Sequence, residues 1–236
     1  INSDGGDIRV TESDGTTEVA REIVNASTSA QTGELYFNAS SVSSTTDTVF
    51  YLYYGNNVAS DYLVSDTYGA ENTWSNGYVL VAHMNDLTTS SILNSANGSL
   101  NGTKASAGNP NETSTGKIYE AQADTSADHI SFGNLGNNST NITISAWMNP
   151  TDLTGTGDNA TYGFTLFSAH SSGNYTWLTA GGTGNGGSPS EIRFCGFSSS
   201  ATCNVGSGSN LATGKWSYIS AASVDGGAAT VRVDGS

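Results

Sequence analysis

Apolar and polar residues alternate with a period of two along most of this chain. At its close, in ATVRVDGS, Val231 and Val233 fall on one side and Thr230, Arg232 and Asp234 on the other. NITISAWMNP sets Ile142, Ile144, Ala146 and Met148 on a single face. Near the start, Ile8 and Val10 oppose Arg9 and Thr11, and in GELYFNA Leu35 and Phe37 share a side. Such alternation is the mark of half-buried β-strands. DTVFYLYYGN differs: Val49, Tyr51 and Tyr53 alternate with Phe50, Leu52 and Tyr54, so both faces are apolar. That pattern predicts a strand between two layers. REIV, YVLVAHM, DHISF, GFTLFSAH, NYTWLTA, EIRFCGF and KWSYISAASV predict further strands, separated by Gly, Asn and Ser turns. Asp14-Gly15 and Asp234-Gly235 signal tight turns. No window carries a helical period and no short repeat recurs, so the chain reads as all-β, a sandwich or barrel.

The strands form two sets. Between them, GNNVASDYLVSDTYGAENTWSNG is polar and turn-rich, a linker with room for one ordered turn. The expected organisation is a first domain over residues 1–70, a linker over 71–77 and a second domain over 78–236.

Composition sharpens this picture. Of 236 residues, 36% are hydrophobic and 9% aromatic, enough for packed cores. Charged residues are 12%, about half the usual share. The net charge of −14 comes from a scarcity of Lys and Arg, seven together. No basic patch exists, which speaks against a nucleic-acid partner or an anionic membrane. No apolar run approaches the roughly 18 residues of a membrane span, so no membrane insertion is expected within this stretch. The acidity suits solubility in a secreted or salt-rich setting. Asn-X-Ser/Thr triplets recur, among them Asn25, Asn38, Asn97, Asn101, Asn111, Asn138, Asn141, Asn159 and Asn174. They are compatible with a cell-surface protein, though a chain this rich in Asn, Ser and Thr forms several by chance.

Cys195 and Cys203 flank a Ser-rich segment that reads as a hairpin tip. A disulfide there would contribute roughly 2.5 kcal/mol by loop-closure entropy and imply an oxidising compartment; the alternative is two free thiols. No neighbouring Cys or His completes a metal site.

Two resemblances organise these readings. SDGGDIRVTESDGTTEVA followed by VFYLYYGN resembles a prokaryotic surface domain catalogued as DUF2341. VLVAHMND, ILNSANGSLNGT, ITISAWMNP and GKWSYISAASVDGGAATVRVDGS, in that order, resemble the LamG-like jelly roll of the concanavalin A-like superfamily. The implied fold is two β-sandwich domains in tandem, the second a concanavalin A-like jelly roll. Both families normally carry further strands, before Ile1 and after the Val-Asp-Gly turn, so the resemblance implies a fragment cut at both ends. Two departures stand out. AQADTSADHI supplies Ala123, Thr125 and His129 where the family has Phe-Asp-Gly and a Tyr. Asn94 replaces the loop Asp, which weakens the Ca2+ site that Asp86 and Asn94 would begin, because an amide offers one neutral oxygen.

Catalysis finds little support. Glycoside hydrolases need convergent carboxylates, and the nearest group, Glu12, Asp14 and Glu18 in TESDGTTE, reads as solvated turn residues. His83, His129 and His170 form no cluster, and no nucleophile elbow occurs. GGTGNGGS is a flexible loop without a following helix to hold phosphate. Carbohydrate recognition remains: Tyr175 and Trp177 share one strand face and either stack on a sugar or fill the core. Trp147 and Trp216, within the motif strands, are assigned to packing, and Trp74 to docking of the two domains. The expected function is a non-catalytic extracellular or cell-surface module that binds a glycan or cell-surface polysaccharide. The alternatives are a structural spacer of a stalk or filament, and an accessory module of a secreted polysaccharide hydrolase.

Overall fold

The fold is described from a computed structural model. It describes residues 1–86, 90–104, 110–113, 115–124, 128–135, 141–153, 164–171, 174–181, 191–196, 203–205, 211–223 and 230–235; for 111–113, 164, 169–171, 174–177, 195, 196 and 203–205 this extends to the backbone alone. Strands dominate, and the α-helix among the described residues is a single turn, α1 at Ala70–Thr73. The all-β expectation therefore holds. The chain divides into two compact units, Ile1–Leu135 and Gly136–Ser236. That division lies well beyond the 71–77 stretch expected as a linker. Side chains on both sides of 71–77 meet in one hydrogen-bonded cluster of the first unit, as shown below.

In the first unit, β1 (Arg9–Thr11) pairs antiparallel with β4 (Tyr51–Tyr53), and β2 (Arg21–Ser27) with β3 (Thr32–Phe37). Further on, β5 (Ser91–Ile92), β6 (Gly102–Lys104) and β9 (Ile130–Ser131) make a three-stranded sheet, while β7 (Asn111–Thr113) pairs with β8 (Ala121–Ala123). Two sequence expectations change here. Tyr51, Leu52 and Tyr53 are each about half exposed, because β4 has β1 as its strand partner and no second layer of the described residues covers it. YVLVAHM is not in a strand. Its backbone bonds to side chains and loops instead: Val81 N–H donates to Asn94 Oδ1 at 3.1 Å, and Val79 C=O accepts from Asn94 Nδ2 at 3.1 Å.

The interior of this unit is notably polar. Arg21, 2% exposed, donates from Nε to the Ile8 carbonyl at 3.0 Å and pairs with the Asp61 carboxylate. Asp7 accepts from the Asn2 N–H at 2.7 Å and the Gly55 N–H at 2.6 Å. Those two donors, the first foremost, hold its carboxyl below the usual range. Buried charges survive only when paired in this way.

The second unit is built differently. β10 (Ile142–Met148), β15 (Ser217–Ser223) and β16 (Thr230–Val233) form one antiparallel sheet. β11 (Phe164–Ser171), β12 (Asn174–Ala180), β13 (Ile192–Gly196) and β14 (Cys203–Val205) form another. Leu178, Ala180, Ile192 and Phe194 from the second sheet join Ile219, Ala221, Val231 and Val233 from the first in a single buried cluster. Ile142, Ile144 and Met148 pack against it. Among the described side chains, alternation has done what the sequence indicated: the inner faces of β10, β15 and β16 pack with residues of the other sheet over an apolar core. After β16, Asp234 and Gly235 have φ of 51° and 88°. A type I′ turn demands such left-handed values at both central residues, which is why an Asp-Gly pair stands there.

Candidate functional site

The first unit gathers Trp74, Tyr36, His83 and Ser95 around Glu22. β2 presents this carboxylate, which accepts from Trp74 Nε1 at 2.6 Å, bonds His83 Nε2 at 3.0 Å and accepts from Ser95 Oγ at 2.5 Å. Tyr36, on β3, packs its ring 5.2 Å from His83 and 5.1 Å from Trp74. Burial pushes the Glu22 carboxyl up, yet the bonds from His83, Ser95 and Trp74 together hold it below its ordinary value. A carboxylate kept charged and saturated by donors is a poor proton donor or nucleophile. Ser95 gives its proton to Glu22 and not to His83, so the trio lacks the base-to-hydroxyl geometry of a nucleophilic triad. We read it as a clasp that ties the segment after α1 to the first hairpin. Trp74, expected to dock two domains, works within this single unit.

The carboxylates of TESDGTTE are structural. Asp14 accepts from the Thr17 hydroxyl at 2.6 Å and from the Thr17 and Thr16 N–H groups at 2.8 and 2.9 Å, which brings its carboxyl to about 2. Glu12 accepts from Ser40 Oγ, and Glu18 from the Tyr62 hydroxyl. They do not converge on a common point.

Asn94 is 2% exposed and fully engaged. Its Oδ1 accepts from the Val81 and Ala96 N–H groups, each at 3.1 Å, and its Nδ2 donates to Val79 and Leu100 carbonyls. Asp86 Oδ2 accepts from the Leu93 N–H at 3.0 Å, and burial raises its carboxyl despite that bond. Calcium takes about six to eight oxygens, several of them charged. An amide oxygen spent on two backbone donors does not fit that role, and no three His, Cys, Asp or Glu side chains gather elsewhere among the described residues. The Asn at this position organises a loop.

In the second unit, the side chains of Tyr175, Trp177, Cys195 and Cys203 lie outside the described residues, as does that of His170. Their backbones are placed: Trp177 pairs with Ser168 on one side and Cys195 on the other, Tyr175 with His170, and Cys195 with Cys203.

A different pair of aromatics emerges on the outward face of the β10–β15–β16 sheet. Trp147 lies directly opposite Tyr218 in the register. Their ring centroids are 5.4 Å apart with planes at 57°. Each is 39% exposed, and among the described residues of this unit they are the large hydrophobic side chains left exposed. The register lays out the rest of the face in rows. Ser145, Ser220 and Arg232 form the next row, and Thr143, Ala222 and Thr230 the one after. Trp147 was expected to pack inside. The signal against that was already legible: Ile142, Ile144, Ala146 and Met148 claim the inner face, so residue 147 must point the other way.

Comparison with protein-family models, with curated proteins and with solved structures finds no match to this chain. No helix of the described residues is long and apolar enough to cross a membrane.

Proposed function

We propose that this chain is a non-catalytic recognition module of a secreted or cell-surface protein, acting in adhesion or carbohydrate binding. In this reading the motifs of the second half place it in a concanavalin A-like jelly roll, and those of the first half in a companion sandwich. The observation that carries the proposal is the exposed Trp147–Tyr218 pair on a sheet face that also carries Ser145, Ser220, Thr143, Thr230, Arg232 and Asp234. The apolar C–H face of a pyranose stacks on such rings, while hydroxyls around them read its polar edge. The pair also stabilises the sheet as a cross-strand contact, but that role does not require it to remain open to water. The acids of the first unit support the non-catalytic part, since Glu22, Asp61, Asp7 and Asp14 are each committed to structural donors.

The extracellular setting draws support from the cysteines. Residues directly opposite in an antiparallel pair have Cα atoms about 4.5–5.5 Å apart, inside the range a disulfide needs. The Cys195–Cys203 register meets that condition.

A glycan array probed with the full folded chain tests the proposal. Binding to a saccharide class at up to millimolar concentration, lost in Trp147→Ala, is expected. A folded chain that binds no saccharide would leave a structural spacer as the better description.

A further inference from the structure

We infer that the Trp147–Tyr218 face takes an anionic saccharide, with the sugar ring on the aromatic pair and its carboxylate or sulfate on Arg232. This deepens the carbohydrate reading and rests on it. The register fixes the arrangement: Tyr218 lies next to Trp147 across the β10–β15 ladder, and Ser220, two residues along β15, faces Arg232 on β16. Arg232 is thus a diagonal neighbour of Tyr218. Such neighbours sit about 7–8 Å apart at Cα, within reach of long side chains. A single pyranose over Tyr218 therefore brings a substituent to the guanidinium.

Charge singles out this arginine. The chain holds seven Lys and Arg against 21 Asp and Glu, so an exposed cation with no carboxylate bonded to it is unusual here. Arg232 is exposed, and among the described residues no carboxylate pairs with it. The acid two residues along the strand is committed elsewhere. Asp234 accepts from the Tyr218 N–H at 2.8 Å, from Lys215 Nζ at 3.3 Å and from Ser217 Oγ at 3.4 Å. A guanidinium offers a planar fork that matches a carboxylate or sulfate in two bonds. The overall charge of −14 opposes such a ligand only weakly, because at physiological salt fields fade over about 8 Å. Locally, the Asp234 carboxylate beside Tyr218 is offset by Lys215, which leaves Arg232 as the net charge.

The same face argues against a protein partner. Ser145, Ser220, Thr143 and Thr230 continue the face beyond the rings with hydroxyls, whereas a standard protein interface of about 800 Å² per side centres on a core depleted of such polar groups.

The test is titration calorimetry on the full chain with two sets of probes. Polygalacturonate, alginate and heparin fragments supply the anion; galactan and cello-oligosaccharides are uncharged controls. Acidic probes are expected to bind at least about tenfold more tightly, with affinity falling as salt rises. Arg232→Gln should remove that tenfold preference and leave neutral binding and the thermal midpoint unchanged. Trp147→Ala should abolish both, and Trp147→Phe should keep part of each. Equal affinity for acidic and neutral probes, or no effect of Arg232→Gln, overturns this inference while the carbohydrate reading stands. Absence of binding to every saccharide by the folded chain removes both. Self-association lost in Trp147→Ala, without saccharide binding, assigns the face to a second copy instead and also overturns it.

Discussion

The two units differ in how far their interiors rely on polar groups. In the first, one aromatic cluster and several polar groups are turned inward: Trp74, Tyr36 and His83 crowd around Glu22, and Arg21, Asp7, Asn94 and Lys104 are all buried, while Tyr51, Tyr53, Tyr54 and Tyr78 stay exposed. In the second, the core cluster is Leu, Ile, Val, Ala and Phe, with Arg193, Thr179 and Ser217 the buried polar residues among those described, and Trp147 and Tyr218 are left on the outside. The difference teaches where to look for binding. A polar group that has already found its partners has little left for a ligand, which is why the Glu22 cluster reads as architecture. An aromatic pair that the core does not need retains capacity for an outside partner.

The comparison can be broken most forcefully at the two cores. Phe194→Ala, at a side chain 1% exposed, should cost the second unit about 4 kcal/mol, read by denaturant unfolding with hydrogen exchange to separate the units. Glu22→Ala should cost the first unit about 3 kcal/mol, because it strands the Trp74 and Ser95 donors together. Protection in the second unit should not change. If Glu22→Ala leaves the first unit's exchange untouched, the clasp is not what holds it.

Next in size comes the hairpin. Reduction of a Cys195–Cys203 disulfide should lower the second unit's stability by roughly 2.5 kcal/mol, and intact mass without reductant should be two hydrogen atoms lighter than after reduction. Free thiols in the unreduced protein would rule the bond out.

Acid should separate the units further. Glu22 has a folded-state value below its ordinary 4.5. Its contribution is therefore fully present above about pH 4.5 and is lost as pH falls through the depressed folded value. Asp7 and Asp14 shift in the same direction, while burial moves Asp86 and Asp124 the opposite way, and in the second unit Asp234 is also lowered. An acid titration should show the first unit failing as the pH drops below that range, and Glu22→Gln should flatten part of the slope. Stability in the first unit that rises on acidification would contradict the sign.

The smallest stability effect should be the most informative. Trp147→Ala removes a cross-strand pair worth under about 1 kcal/mol, yet it should eliminate saccharide binding. A loss of several kcal/mol instead would mean the ring belongs to the core after all.

How much of this was legible beforehand varies by element. β10, β16 and the Asp234-Gly235 turn follow from local pattern: the interred faces of ITISAWM and TVRV are those that alternation assigns. YVLVAHM misled because its apolar run matches a strand. The competing principle was side-chain capping, with the Asn94 amide taking the backbone groups a ladder would have used. DTVFYLYYGN misled because two apolar faces imply a cover that β4 does not receive from the described residues. The candidate site was half visible. Alternation points Trp147 outward, but nothing near it in the sequence names its neighbour.

What the chain's order of residues determined by itself is the period: which side of each strand is apolar, where the turns fall, and that the whole is β. That much is local, since a strand's two faces are set by its own backbone geometry. Only the tertiary structure decided the partners. Tyr218 meets Trp147, Arg232 joins their face, and Ser95 reaches back to Glu22 across 73 positions. Register between distant strands is chosen by the packing of all their buried faces at once, and a shift of one residue would turn every outward side chain inward.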